Sequence, residues 1–200
     1  PGKRITLRGT SEQTVHQSES KRNITGFLPI CSDGHYSTPL LIFPGKIFKI
    51  MKLMKVKTWS IETDAFDGFH VTGNKSGYMT GQIFRNWIKI FIQEEKISKS
   101  SPALLILDSH RSREDLEAIE YASDHGLYLV TFPGKATHLL QPLDVSLFGP
   151  FKKKYQELFY RQENKSLNPS FETVTPFIRE AIKESFSSTN IKQAFSTTGL

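Results

Sequence analysis

The chain has almost no cysteine: Cys31 is the only one in 200 residues. That excludes an intrachain disulfide and a zinc site built from cysteines, and it fits a reducing, intracellular setting. There is no run of about 18 apolar residues of the kind a membrane span needs. The opening Pro1-Gly2-Lys3-Arg4 lacks the apolar stretch of a signal peptide, so neither membrane insertion nor secretion is expected. Internal repeats and low-complexity tracts are missing too. Acidic residues are the minority charge: 20 Asp and Glu against 26 Lys and Arg leave a net charge of +6 and a pI near 9.3, which favours an anionic partner such as nucleic acid or an acidic membrane surface.

Aromatic residues are plentiful. Fifteen Phe, six Tyr and two Trp exceed what a disordered tail carries. With 38% hydrophobic residues, a chain of this length supports one domain with a core of its own.

Residues 1–22 form a ragged polar lead-in with one short alternating piece, Ile5-Thr6-Leu7. The apolar run Ile24 to Cys31, the turn signal Asp33-Gly34 and the second run Pro39 to Phe43 predict a β-hairpin. Residues 44–58 set five lysines around a small apolar patch, read as a solvated face or a DNA contact. Thr80 is placed to cap a helix running to about Gln93, with Ile83, Trp87, Ile90 and Phe91 on its apolar face. Those neighbours favour a core role for Trp87 over base stacking.

Ala103 to Leu107 is a continuous apolar run ending in Asp108, which predicts a central strand buried on both faces of a parallel sheet. Ser112 to Asp115 reads as a capping box, followed by a helix with Leu116, Ile119 and Ala122 on one face and Gly126 as terminator. A strand over Leu127 to Phe132 completes a right-handed β-α-β unit, so the class is α/β. Pro142 then starts a helix with Asp144 in its first turn, which Gly149-Pro150 kinks or breaks. A further helix covers residues 151–163. Residues 164–171 read as a linker, and short helices follow over Pro176 to Phe186 and after a Thr189 N-cap.

Asp108 lies at the carboxyl end of a strand, the edge of an open α/β sheet where ligands collect. Its plainer reading is a residue that caps the next turn. Asp144 sits where a helix dipole favours a carboxylate. Together the two offer oxygen ligands suited to magnesium or manganese, and the chemistry that needs such a cluster is metal-assisted phosphodiester cleavage. Three carboxylates are the ordinary requirement, yet Asp33 lies in a hairpin turn, and Asp64 and Asp67 in a polar loop. His110 and His138 flank the aspartates and read first as locally bonded loop residues. Arg111, Arg113, Lys152, Lys153 and Lys154 supply positive charge where phosphates would dock, or else a solvated basic face.

On these residues the chain resembles the DDE superfamily endonuclease domain of pogo, Tigger and jerky-like transposases, relatives of mariner elements. Leu104-Leu105-Ile106-Leu107-Asp108-Ser109-His110 resembles the strand bearing that family's second aspartate. Thr137 to Val145, with Phe148-Gly149-Pro150-Phe151-Lys152, resembles the signature around its third acidic residue, and the 35 residues between Asp108 and Asp144 match its spacing. Gly77-Tyr78-Met79-Thr80 and Leu41-Ile42-Phe43-Pro44 extend the likeness over roughly residues 20–160.

The resemblance implies an RNase H-like mixed sheet flanked by helices, with 23–163 as the catalytic core and 164–200 as linker and carboxy-terminal helices. It also implies Asp108 and Asp144 as catalytic metal ligands, Mg2+ or Mn2+ as the cofactor, DNA as the partner and the nucleus as the location. No membrane partner is expected, and a homo-oligomer is compatible with the sequence. The family's first aspartate lies on a strand upstream of the equivalent of Pro1, commonly before Glu-Thr-Gly, and its helix-turn-helix domains precede that. Neither segment is in these residues, so the expectation is a core truncated at its first strand that does not cut DNA efficiently alone. The rival readings are a domesticated, non-catalytic nuclear binding protein and a phosphohydrolase with Asp108 as nucleophile.

Overall fold

The computed structural model describes residues 24–45, 68–110, 112, 114–134, 136–161 and 171–200. The lead-in, the lysine-rich segment after Gly45, Asp64, Asp67, Arg111 and Arg113 lie outside the described residues.

The predicted hairpin forms, though its first strand is short. β1 (Thr25–Phe27) pairs antiparallel with β2 (Leu40–Pro44), Gly26 opposite Leu41. An isolated bridge between Ile30 and Tyr36 closes a tight turn around Asp33 and Gly34. β2 also pairs in parallel with β3 (His70–Asn74), a strand too polar for its composition to announce. Alternate residues of β2 enter two different cores. Leu41 and Phe43 pack with Val71, Ile178, Ile182, Phe186 and Ile191, whereas Leu40 and Ile42 pack with Phe84, Trp87, Ile88 and Leu127. The three-stranded sheet is thus covered on both faces.

Helix α1 (Gly81–Glu94) begins where the sequence predicts, with the Thr80 hydroxyl accepting from the Ile83 amide at 3.3 Å. Trp87 is buried, stacked on Phe91 and edge-on to Phe27, so the core reading holds. β4 (Ala103–Leu107) and β5 (Leu127–Thr131) form a parallel pair joined by α2 (Leu116–Asp124).

Three expectations fail here. Among the described residues β4 is not central and not buried on both faces. Among the described residues it pairs only with β5, in a second sheet. Leu107 and Leu127 face the core, while Leu104 is 61% and Tyr128 56% exposed. Nor does α2 start at a Ser112 cap. Its N-cap is Asp115, whose carboxylate accepts from the Ala118 amide at 3.0 Å, while Ser112 bonds His110 instead. Arg85 of α1 explains the choice: its Nε and Nη2 each donate to Asp115 at 2.9 Å, and Nη1 reaches Glu117. The helices approach so closely that a Cβ at Gly81 would lie 2.8 Å from Asp115 Oδ2. Only small residues fit that seam, so Ala118 and Ala122 are buried, and the expected face residues Leu116 and Ile119 are exposed.

After β5 come a short helix α3 (Thr137–Leu140), a π-helical turn (Leu143–Leu147), α4 (Phe148–Arg161), α5 (Phe171–Ser185) and α6 (Ser188–Thr198). Gly149-Pro150 does not break the helix. The Phe148 amide already bonds Leu143, five residues back, and this π register lets the chain absorb a proline without a donor in the next turn. Helix α5 starts before Pro176 and includes it, and α6 is capped by Ser187, whose hydroxyl accepts from Asn190 at 3.2 Å, not by Thr189.

Asp115→Ala should lower the unfolding free energy by about 1–2 kcal/mol through the lost cap, read by denaturant titration. Arg85 first and the Ala118 amide next hold the Asp115 carboxyl below its usual range, against the opposing effect of burial. Its contribution is therefore complete above the ordinary carboxylate pKa and disappears as pH falls through the lowered folded value. A variant whose acid unfolding profile matches the wild type would refute the coupling. Leu41→Ala, in contrast, should cost about 2–5 kcal/mol at any pH.

Candidate active site

Both predicted carboxylates sit on backbone features that suit them. Asp108 follows the last residue of β4, half-buried, with its Oδ1 shielded from solvent. The hydrogen bond from Phe132 N to Leu107 O at 2.9 Å fixes the strand end that carries it. Asp144 lies in the first turn of the π-helical segment, exposed, with its amide bonded to Gln141 O at 3.1 Å.

A groove of about 810 Å³ connects the two neighbourhoods. β1 forms one wall, β4 with Asp108 the other, and Gln141, Pro142 and Leu143 the end next to Asp144. Asp108 and the residues immediately before Asp144 thus share one cleft, although neither aspartate belongs to a group of three or more clustered metal-ligating side chains among the described residues.

The flanking residues divide. His110 is exposed and bonds Ser112 Oγ through Nδ1 at 2.9 Å, the local arrangement that its plainer reading predicts. His138 is an exposed residue of α3. Lys152 and Lys153 are exposed on α4, with the Lys152 ammonium 5.9 Å from the Phe148 ring centre. Lys154 does not join them: its Nζ lies 2.8 Å from Glu184 Oε1 and ties α4 to α5. Spacing alone could not separate Lys154 from its neighbours, because the partner comes from a different helix.

One cluster escaped the sequence reading. Cys31, Asp33 and His35 each direct a ligand atom to within 4.8 Å of the others. The exclusion of a cysteine-based zinc site overlooked mixed ligands, and the signal was the alternation of Cys, Asp and His across a turn.

Residues 21–195 match the family described as DDE superfamily endonuclease. The chain belongs to that family. As a DDE superfamily endonuclease domain it falls among nuclease or transposase-like proteins, a superfamily that acts on DNA and generally uses divalent metals. A protein named MFS-type transporter clz9, from Cochliobolus lunatus, is 27% identical over 189 residues, covering 92% of this chain and 19% of that protein. The chain thus spans about a fifth of that relative's length. Among the described residues, no helix is long and apolar enough to cross a membrane. No solved structure matches the chain significantly.

The charge assignments are testable by DNA binding. Replacing Lys152 and Lys153 together by Ala should weaken binding uniformly across sequences and reduce the salt slope by about 2. Lys154→Ala should leave that slope unchanged and lower stability by about 0.2–1 kcal/mol. An equal loss of slope from Lys154→Ala would overturn the division.

Proposed function

We propose that this domain is the core of a pogo, Tigger or jerky-like transposase with an RNase H-like fold, and that it acts on DNA in the nucleus through Asp108 and Asp144. The observation that carries the reading is the shared cleft: Asp108 at the end of β4 and the Gln141 to Leu143 wall leading directly into Asp144.

Asp108 and Asp144 are the residues that would hold Mg2+ or Mn2+. Hard carboxylate oxygens at a strand end and in a first helical turn fit those ions better than soft metals. When bound, such ions activate a water or 3′-hydroxyl and stabilise the departing oxygen in phosphodiester cleavage. Asp108 supplies a rigid anchor, because the β4–β5 ladder and the Leu107–Phe132 bond fix its backbone. Asp144 sits where the amide dipoles of its own turn stabilise negative charge. Lys152 and Lys153, on the helix that follows, supply exposed positive charge for phosphates.

A third carboxylate is the ordinary complement of this chemistry. The groove between β1 and β4 is where a strand carrying it would fit, since the two sheets each end there on a strand paired on one side among the described residues. One inserted strand would join them into a single sheet, the RNase H-like arrangement.

The longest protein encoded in this frame should cleave or join DNA with Mg2+ or Mn2+. In it, Asp108→Asn and Asp144→Asn should each lower the rate by on the order of a thousandfold or more. Cleavage that survives Asp108→Asn would sink the assignment. The second reading, a domesticated protein that binds DNA or protein without cutting, draws on the lack, among the described residues, of a three-ligand cluster around either aspartate. It wins if Mg2+ and Mn2+ leave the melting temperature of that longer protein unchanged.

A further inference from the structure

The connection between β1 and β2 carries ligand-bearing side chains that the carboxylate cleft does not use. Its backbone closes on itself: Cys31 N donates to His35 O at 2.8 Å, and Gly34 N donates to Cys31 O at 2.9 Å. Gly34 completes the turn with a φ of +99°, a conformation that side-chain-bearing residues avoid. This folding-over brings the alternate residues Cys31, Asp33 and His35 to one point, with the thiol half-buried and the other two exposed.

The imidazole is held from both sides. His35 Nδ1 lies 2.6 Å from Asp33 Oδ1, and Nε2 lies 3.0 Å from Glu95 Oε2 at the end of α1. Glu95 is itself fixed, since Ser37 Oγ donates to its other oxygen at 2.5 Å. A carboxylate on one ring nitrogen is how proteins orient a metal-ligating histidine, leaving the other nitrogen to face the ion.

The surroundings are anionic. Burial first, then the charges of Glu95 and Asp33, push the Cys31 thiol up to about 11. At His35 burial opposes the proton, but hydrogen bonds to Glu95 and Asp33 raise its pKa on balance. Lys192 is the cation facing Asp33. The carboxylates of Asp33 and Glu95, 2.6 and 3.0 Å from the two ring nitrogens of His35, gather negative charge at the point where the three ligand atoms converge, and a divalent cation there would neutralise it.

We propose that Cys31, Asp33 and His35 form a zinc-class metal site, with Glu95 as the carboxylate that orients His35. A mixed sulfur, nitrogen and oxygen donor set selects borderline ions such as Zn2+ over Mg2+ and Mn2+, which prefer oxygen throughout. Bonds of 2.0–2.3 Å place tetrahedral ligand atoms about 3.5 Å apart. Contraction from separations of at most 4.8 Å and opening of the 2.6 Å His35–Asp33 contact therefore need shifts of no more than about an ångström, within reach of side chains on a turn. Three protein ligands leave a fourth position for water. Because Glu95 belongs to the end of α1, an ion here would pin the hairpin turn to that helix. Cys31 and Glu95 both line the groove, so the pin would brace its mouth. The inference does not depend on Asp108 or Asp144 being catalytic.

The test is titration of the metal-free 200-residue chain with Zn2+ and with Co2+ as a spectroscopic substitute. One equivalent should bind, raise the melting temperature and, for Co2+, give a thiolate-to-metal charge-transfer band. Cys31→Ser should abolish that band. Glu95→Gln should keep it and weaken affinity by about 10–100-fold. Asp108→Asn should leave the Co2+ band and the Zn2+ affinity as in the wild type. Binding of Co2+ without the band, or Zn2+ affinity equal in wild type and Cys31→Ser, would overturn the site. If Cys31→Ser does not fold, the Co2+ spectrum of the wild-type chain decides alone.

Discussion

The burial of β2 on both faces is the constraint on which the fold depends. Leu40 and Ile42 point into the core built with α1, and Leu41 and Phe43 into the core built with α5 and α6. A one-residue slip against β1 or β3 would exchange the two sets and unseat both cores together. Because α1 is anchored on Leu40 and Ile42, it can anchor α2 through Arg85 and Asp115, and α2 in turn fixes the β4–β5 pair that ends in Asp108. On the other side, Leu147 in the π-helical turn packs into the core of Leu41 and Phe43, which places Asp144 three residues earlier in the same turn. Each aspartate is positioned from a different face of one strand.

What the sequence made legible follows from this arrangement. The hairpin, α1, the strand-helix-strand order of β4, α2 and β5 and the mixed α/β class are local or periodic signals, and they appear in the structure. The position of β4 was not legible: a five-residue apolar run has the same composition whether one face or two are covered. The odd residues from Ala103 to Leu107 pack with α1 and α2, while Leu104 is exposed. Helix starts were misread wherever a tertiary partner decided them. Ser112 and Asp115 are both good caps by type, and Arg85, distant in sequence, selects Asp115. β3 was missed because His70, Thr72 and Asn74 are polar, and His70 is buried only because Glu94 accepts its Nε2 at 2.8 Å.

The site residues show the same division. Asp108 and Asp144 could be singled out from a strand end, a helix start and the spacing between them. The basic residues could not be sorted. Lys152, Lys153 and Lys154 are equivalent in a sequence, and only the helix pair distinguishes the one engaged by Glu184 from the two that face solvent. Cys31 read as a reason to exclude chemistry because cysteine was counted, and its neighbours across the turn were not.

The groove is the least comfortable part of the structure. β4 exposes one edge of backbone donors and acceptors among the described residues, and its sheet presents Leu104, Tyr128 and Val130 to solvent. Soluble proteins usually blunt such an edge with charge, proline or a covering segment, because it recruits strands indiscriminately. Here β1 and β4 both line a cleft whose lining also includes Leu143, Phe148, Phe195 and Leu200, so a strand inserted between them would meet backbone groups on both sides and apolar side chains around it. A covering strand would satisfy all of these at once. Among the described residues this edge is therefore the place where the proposed catalytic reading would seat a third carboxylate.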